Sequence, residues 1–588
     1  MSSAEVLSQA TAMERPLKRR SFDGSRLAWI ILGVLVLAIV AVPLGYTLDA
    51  AFRKEAQFGL SQERSLEAFT NVYTTAMYLT PLVNALVLAA VVTVVSLLCG
   101  VAMAVLIARV ALPQKSLLEL LIILPIFLSP FTGLIAWVTL GSQKTGFINV
   151  FLHSVFGRIG IDLGPVINIW SYFGIVWVMS LFFIPFAYLF TVGNLRAMDS
   201  SLEEAARASG ATALQTMLKI TLPMSLPAIF AAGLLIFILT AETYAIPGII
   251  GVNIGFTVLP WQTYTDLTDT PIRQAHAAAA GTMLLFVAVL GIWIQRRITR
   301  VSERYVTVTG KGFRGRPMEI GAYRWLALAF IGAYILFATL LPLLALGLSS
   351  LMKFSAPAMT ADLFTFKHYK DLFALGDMRG AMWNTLVLAL LSAFVCVGLG
   401  FVTSYSEVRT KRMLPRLIAA IAVLPVAVPG LVYAIGLLWA CLQTPLYGTV
   451  WVLLLAFVAK FLPFGVVLSR SGILQIHPEL EQSARLCGAK PFRALISITA
   501  PLMKASLIGA FFFIVLLSIK ELSASMLLYT QRSQTLAVLT WHYMDGGNYQ
   551  FAAAIGVIQT LVMITIVVLA RQVFRVRLEK SVGKEVGQ

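Results

Sequence analysis

The sequence predicts an all-α polytopic membrane protein of about 12 transmembrane helices in two parallel six-helix repeats, and three observations carry that prediction. Apolar runs of about 20 residues, the length that crosses a hydrocarbon core, recur along the whole chain. The 588 residues are 59% hydrophobic and 12% charged, a composition far from that of soluble proteins. A helix-forming stretch too polar to span a bilayer, residues 201–223, returns 278 positions later as residues 479–501.

In chain order, residues 1–26 form a polar tail in which Lys18, Arg19, Arg20 and Arg26 precede the first apolar run. That run, 27–48, is long for a signal peptide and has no convincing small-residue cleavage site, so it is read as a span. Further spans are expected near 82–107, 117–140, 169–192, 226–247, 275–295, 323–349, 383–408, 414–440, 449–470, 504–528 and 551–573. The expected division is a tail at 1–26, a first transmembrane domain at 27–295, a basic linker at 296–322, a second domain at 323–574 and a tail at 575–588.

The formal charge of +18 raises the possibility of a nucleic-acid partner, but its distribution argues against one. With this layout 27 Lys and Arg fall in segments on the side of the termini and 11 on the other; Arg324, Arg416, Arg470, Lys504 and Arg571 sit at span ends on the side of the termini, and Lys460 and Lys520 lie deeper inside spans. The positive-inside rule then places both termini, the linker and both 201–223-type loops in the cytoplasm. Attraction to anionic membrane lipid accounts for the basic linker, where Arg296, Arg297, Arg300, Arg304, Lys311, Arg314 and Arg316 cluster, with Arg324 just beyond it at the start of the next span.

The repeat extends beyond the loops. Asn84 and Asn384, Gly100 and Gly400, Arg109 and Arg409, and Pro125 and Pro425 lie 300 positions apart, whereas Pro185 and Pro463 lie 278 apart. The first half therefore carries 22 extra residues, expected around 141–168. Six spans per half give both copies the same orientation, related by an axis along the membrane normal.

Each polar loop reads as a short helix, a glycine bend and a second short helix. Ser200 and Ser201 are suited to cap the first, with Glu203 and Glu204 at the positive end of its dipole and Gly210 at the bend. Small residues at Ala205, Ala206 and Ala208 leave the backbone approachable by another protein; a plain connecting loop is the bland alternative. The stretch Glu204-Ala-Ala-Arg-Ala-Ser-Gly210 followed by Ile220-Thr-Leu-Pro223 resembles the EAA motif of permease subunits of type I bacterial ATP-binding-cassette importers. In the second copy Gln482 stands at the motif's Glu, with Glu481 one place earlier, Ser483 replacing an Ala and Ala500 replacing the Leu before Pro501. A fused double permease further resembles the ferric-iron uptake branch, as does Lys520-Glu-Leu-Ser-Ala-Ser-Met-Leu-Leu528.

The resemblance implies a bacterial inner-membrane permease without catalysis of its own, working with two ATPase subunits and a solute-binding protein. It implies that Glu203, Glu204, Ala205, Ala206, Gly210, Glu481, Gln482, Ala484 and Gly488 couple to the ATPases, and that the cargo is ferric iron, or else a phosphonate, polyamine, thiamine or similar solute. The residues agree on one point: no G-x-x-x-x-G-K-[ST] phosphate loop occurs, so no nucleotide cofactor is expected on this chain. The rival class is an ion-coupled secondary transporter, disfavoured because few carboxylates lie at mid-span and the 109–116 loop lacks a Gly-Asp-Arg pattern.

Glu242, Lys520 and Glu521 are ionisable residues late in the spans that follow the two loops, and two readings stay open for them. They line a pathway or gate, or Lys520 pairs with Glu242 as a structural tie. Lys460 is a lone intramembrane charge without a repeat counterpart, read as structural. The four cysteines and five histidines show neither a disulfide framework nor metal-ligand spacing. Asp266, Asp269, Asp371 and Asp545 are expected on the outer docking face.

Overall fold

The computed structural model describes residues 24–574 except 57–58, 161–163, 199–200, 303–317, 355, 357–359, 375, 411, 443 and 490. Ser200, both distal tails and the centre of the linker lie outside the described residues. Apart from a two-stranded hairpin, Arg53–Ala56 with Gly59–Arg64, the described elements are helices. Nine are long and apolar enough to cross a membrane, or up to 12 if three bent pairs each count as one span.

Two expected spans differ from straight helices. Residues 117–140 are a helix bent by 98° between Lys115–Phe127 and Pro130–Gly141, and 414–440 bend by 111° between Met413–Val426 and Gly430–Cys441. Pro125 and Pro130 flank the first break, Pro425 and Pro429 the second; each ring removes a backbone donor and crowds the preceding turn. The expected span 504–528 ends at Ile519 and follows a 70° bend, while 226–247 ends at Ala241, before a separate helix, Ala245–Val252.

Within each half the long second helix packs closely on the fourth. A Cβ at Gly100 would lie 2.7 Å from the Ile184 carbonyl oxygen, and one at Gly400 would lie 2.6 Å from that of Gly465. Only glycine permits these crossings, the small-residue packing typical of transmembrane bundles. Asn84 donates to the Thr257 carbonyl at 2.8 Å and its repeat partner Asn384 to that of Gln534 at 3.0 Å, tying the far end of each bundle.

The halves are interlocked through their first helices. Thr47, from Gly24–Ala51, donates to the Val432 carbonyl at 3.2 Å, and Tyr433 donates back to Ile39. Tyr334, from Tyr323–Ile335, donates to the Leu181 carbonyl at 3.1 Å in the first half. Each half thus lends its opening helix to the other, and the two broken helices come to lie between them.

Candidate functional site

The two glycine-bend loops sit at one end of the bundle with matching geometry. In the first, Ser201–Ala208 carries Glu203 and Glu204 in its opening turn and stops at Gly210, whose φ is +85°. The Ala211 N–H reaches back to the Ala206 carbonyl at 3.0 Å, the 6→1 closure that requires a left-handed residue. In the second, Pro478–Leu486 stops at Gly488, φ +86°, and Ala489 closes onto Ala484 at 3.0 Å. Pro478 occupies the first helical turn, where its missing N–H costs nothing.

Each loop returns to its span through a five-residue segment of i→i+5 helix, Met217–Thr221 and Leu495–Thr499, 278 positions apart. Such segments are rare and concentrate at functional sites. Each ends in a threonine whose hydroxyl donates to the loop's buried glutamate, Thr221 to Glu203 at 2.8 Å and Thr499 to Glu481 at 3.0 Å. The same oxygen of each glutamate accepts from an arginine at the foot of the long second helix, Arg109 Nε or Arg409 Nε, both at 3.0 Å. The result is a duplicated clamp of Arg, Glu and Thr in which three elements of a half meet at one carboxylate.

The structure keeps the 278-position pairing of the loops and shows which side of each short helix faces inward. Glu203 corresponds to Glu481, and both are buried, at 7% and 3% exposure. They face the spans, not an outside partner. Glu204 corresponds to Gln482, and both are exposed together with Ala205, Gly210 and Gly488, while Ala206 and Ala484 are half-buried. Gln482 thus stands at the place of Glu204, as the sequence reads, and the Glu-to-Gln change falls on the open face; the difference from expectation is that Glu203 and Glu481, expected to couple to the ATPases, turn their carboxylates into the bundle.

A second charged site lies between the halves. Lys460 Nζ is 2.9 Å from Glu521 Oε2 and 3.9 Å from Glu242 Oε1. The expected tie between Lys520 and Glu242 is not formed; Lys520 instead donates to the Ile126 carbonyl at 2.9 Å. The reason is positional. Glu242 and Lys520 are repeat equivalents, so each faces the broken helix of the opposite half: Glu242 meets the N-terminus of Gly430–Cys441 and Lys520 the C-terminal carbonyls of Leu124–Phe127. Each charge has the sign that the helix end there favours. Lys460, read from sequence as a lone charge, proves to be the partner of both carboxylates.

Beside these charges an aromatic cluster bridges the halves, with Trp541 5.4 Å from Phe131, 5.8 Å from Tyr244 and 5.9 Å from Tyr264 between ring centroids. Among the described residues no three His, Cys, Asp or Glu side chains converge as a metal site would need. Asp266 is a further correction: it is buried, accepting from the Tyr78 hydroxyl at 2.9 Å and from Gln262, and is withdrawn from any docking face.

The sequence matches the family described as binding-protein-dependent transport system inner membrane component over residues 69–302 and again over 396–583. It is 26% identical over 491 residues to the ferric transport system permease protein FbpB of Actinobacillus pleuropneumoniae, covering 82% of this chain and 69% of that one. It is 28% identical over 434 residues to the putative ferric transport system permease protein FbpB 1 of Haemophilus influenzae, covering 73% of this chain and 66% of the relative. A putative 2-aminoethylphosphonate transport system permease protein, PhnU of Salmonella choleraesuis, is 30% identical over 251 residues, covering 42% of this chain and 84% of the relative.

Proposed function

The chain belongs to the binding-protein-dependent transport system inner membrane component family, in two fused copies, and from that premise we propose how it works and what it carries. The chain is the membrane pathway of an ATP-driven importer, not an ion-coupled carrier. It hydrolyses nothing itself. Two separate ATPase subunits grip the two glycine-bend loops from the cytoplasm, one each, and a solute-binding protein delivers cargo at the opposite face, with both termini cytoplasmic.

The observation that carries this reading is the duplicated clamp. A short helix with an exposed outer face, Glu204, Ala205 and Gly210 in one copy and Gln482 and Gly488 in the other, is fastened from inside by Glu203 or Glu481 to two spans at once. A push on the exposed face therefore reaches the foot of the second helix through Arg109 or Arg409. It also reaches the fifth through Thr221 or Thr499. Glu242, Lys520 and Glu521, at the far ends of the helices leaving the loops, line the gate that this movement opens.

Ferric iron is the cargo of first choice, supported by the ferric permease relatives along most of the chain. A phosphonate is the second reading, supported by the half-chain match to a phosphonate permease. Gentle extraction of the complex from its native membrane tests both levels. Two ATPase copies per permease and an iron-loaded binding protein are expected. A phosphonate on that binding protein replaces iron as cargo, and absence of any ATPase overturns the importer mechanism.

A further inference from the structure

Among the intramembrane charges, the two carboxylates and the ammonium they share are held very differently. Glu521 follows the end of Lys504–Ile519, and its Oε1 accepts the Ala524 N–H at 2.9 Å, which anchors the carboxylate to its own backbone turn. Glu242 ends Leu222–Ala241, with its carboxylate facing the Gly430 main-chain N–H at the break in the other half. Both anions are thus positioned by main-chain donors. Lys460 has no main-chain hydrogen bond of this kind among the described residues: its ammonium lies against those two carboxylates and in the notch left by the missing side chain of Gly430, at the tip of a flexible four-carbon stem. The fixed groups are anionic and the movable group is cationic.

The three groups also belong to elements that move apart in the proposed mechanism. Glu242 terminates the helix leaving the first loop and Glu521 follows the helix leaving the second, whereas Lys460 lies on Val450–Leu474, which enters the second loop. Glu242, Pro429, Phe237 and Leu284 border a cavity of about 20 Å³, room for about one water. With Lys520 beside Glu521, the two carboxylates are matched by two ammoniums of the chain itself, so a further cation can be held here only by displacing one of them. A second oxygen at this depth, the Ile126 carbonyl, is likewise covered by an ammonium of the chain, Lys520.

We propose that Lys460 is a tethered counter-ion that closes the crossing between the halves, and that a multivalent, oxygen-seeking cation displaces it from Glu242 and Glu521 during passage. This rests on the importer reading and narrows it, because a site whose fixed groups are carboxylates repels a phosphonate and attracts a hard cation such as Fe(III). Lys460 is then a specificity residue. It keeps the carboxylate pair neutralised when no cargo is present, and its release makes room for a cation of higher charge. Exchange of one cation for another needs no co-reactant.

Terbium(III) is a suitable probe, since Tyr244, two residues after Glu242, belongs to the aromatic cluster with Trp261 and Trp541 that can sensitise its emission. Titrating purified full-length permease with Tb(III), and reading sensitised luminescence, gives affinity without requiring transport. Lys460→Met is expected to bind Tb(III) about tenfold or more tightly than the natural chain, by removing the built-in competitor. Lys460→Arg, which keeps a cation there, is expected to bind like the natural chain. Adding Glu242→Gln and Glu521→Gln to Lys460→Met is expected to abolish the gain. Equal affinity in the natural and Lys460→Met chains, or a gain that survives loss of both carboxylates, overturns the proposal. If Lys460→Met does not fold, Lys460→Gln, which retains a donor for Glu521, makes the same comparison. Absence of an ATPase on extraction would sink the importer reading separately, leaving the luminescence result to judge this site.

Discussion

The two glycine-bend loops share one clamp but are braced differently around it. In the second half Tyr405 adds a third donor to the glutamate, hydroxyl to Glu481 Oε2 at 3.1 Å, and Arg485 reaches the same tyrosine at 3.4 Å. The free nitrogen of Arg409 goes to the carbonyls of Ile473 and Ile476, at 3.3 and 2.8 Å. In the first half Val105 occupies the place of Tyr405, and Arg109 Nη2 is buried with no hydrogen-bond partner among the described residues. What the first half has instead is the end of the linker. Met318 pairs with the chain just past the second helix, its N–H to the Arg109 carbonyl at 2.7 Å and its carbonyl from the Ala111 N–H at 3.0 Å. Both clamps close within their own half, but the second is braced further by Tyr405 and the Ile473 and Ile476 carbonyls, whereas at the first the linker holds the chain on either side of Val110. Equal motifs do not imply equal stiffness.

The largest effect that would break this comparison is loss of either clamp carboxylate. Removing Glu203 or Glu481 leaves a buried guanidinium unpaired, at a cost of about 3–5 kcal/mol. Glu481→Ala and Glu203→Ala are both expected to reduce uptake by about a hundredfold or more, with ATP hydrolysis by the complex no longer tied to cargo. Because Glu481 has three side-chain donors and Glu203 two, Glu481→Ala is expected to lower the thermal midpoint further. Equal midpoints would show that the extra tyrosine bond carries no weight.

Next in size are the glycine bends. A side chain at Gly210 or Gly488 meets no atom within 4 Å, so its cost is backbone strain of about 1–2 kcal/mol, together with bulk on the exposed face. Gly210→Trp with Gly488→Trp is expected to leave the chain inserted, as judged by surface labelling of the outer loops, while abolishing uptake. Normal uptake by that double variant would remove the coupling role from both loops.

The smallest effects sharpen the difference in bracing. Tyr405→Phe removes one hydrogen bond to a carboxylate, worth about 1.5–3 kcal/mol, and acts on the second loop alone. Met318→Pro removes the donor to Arg109 and acts on the first, at about 0.5–1.5 kcal/mol. Cross-linking of each loop to its ATPase should fall only on the altered side. Loss on both sides would mean that the two loops move as one unit.

Much of this architecture was legible in the sequence because hydrocarbon imposes a length. A run such as 82–107 announces a span whatever packs beside it, and the repeated 278-residue interval gives the duplicated loops directly. The breaks near Pro130 and Pro429 were not legible, since proline inside a membrane helix is compatible with either a mild kink or a sharp bend. The inward role of Glu203 and Glu481 was hidden because neighbouring acids, Glu203 and Glu204, differ only in which side of a short helix they occupy. Arg109 and Arg409 had been marked by their interval, but an arginine ending a span is ordinary until the carboxylate it meets is known. Lys460 was the hardest to read. Its partners lie far away in sequence, and its place in the first repeat is Phe182, so duplication offered no hint.

The opposite signs at positions 242 and 520 carry one last consequence. Two identical protomers around an axis would have to place glutamate twice or lysine twice at this depth, leaving like charges buried against both broken helices. Joining the copies into one gene product lets the pair diverge and guarantees one of each in every assembled pore. Half-length fragments expressed alone should therefore fail to form a working self-pair, whereas the two different fragments expressed together retain the complementary set.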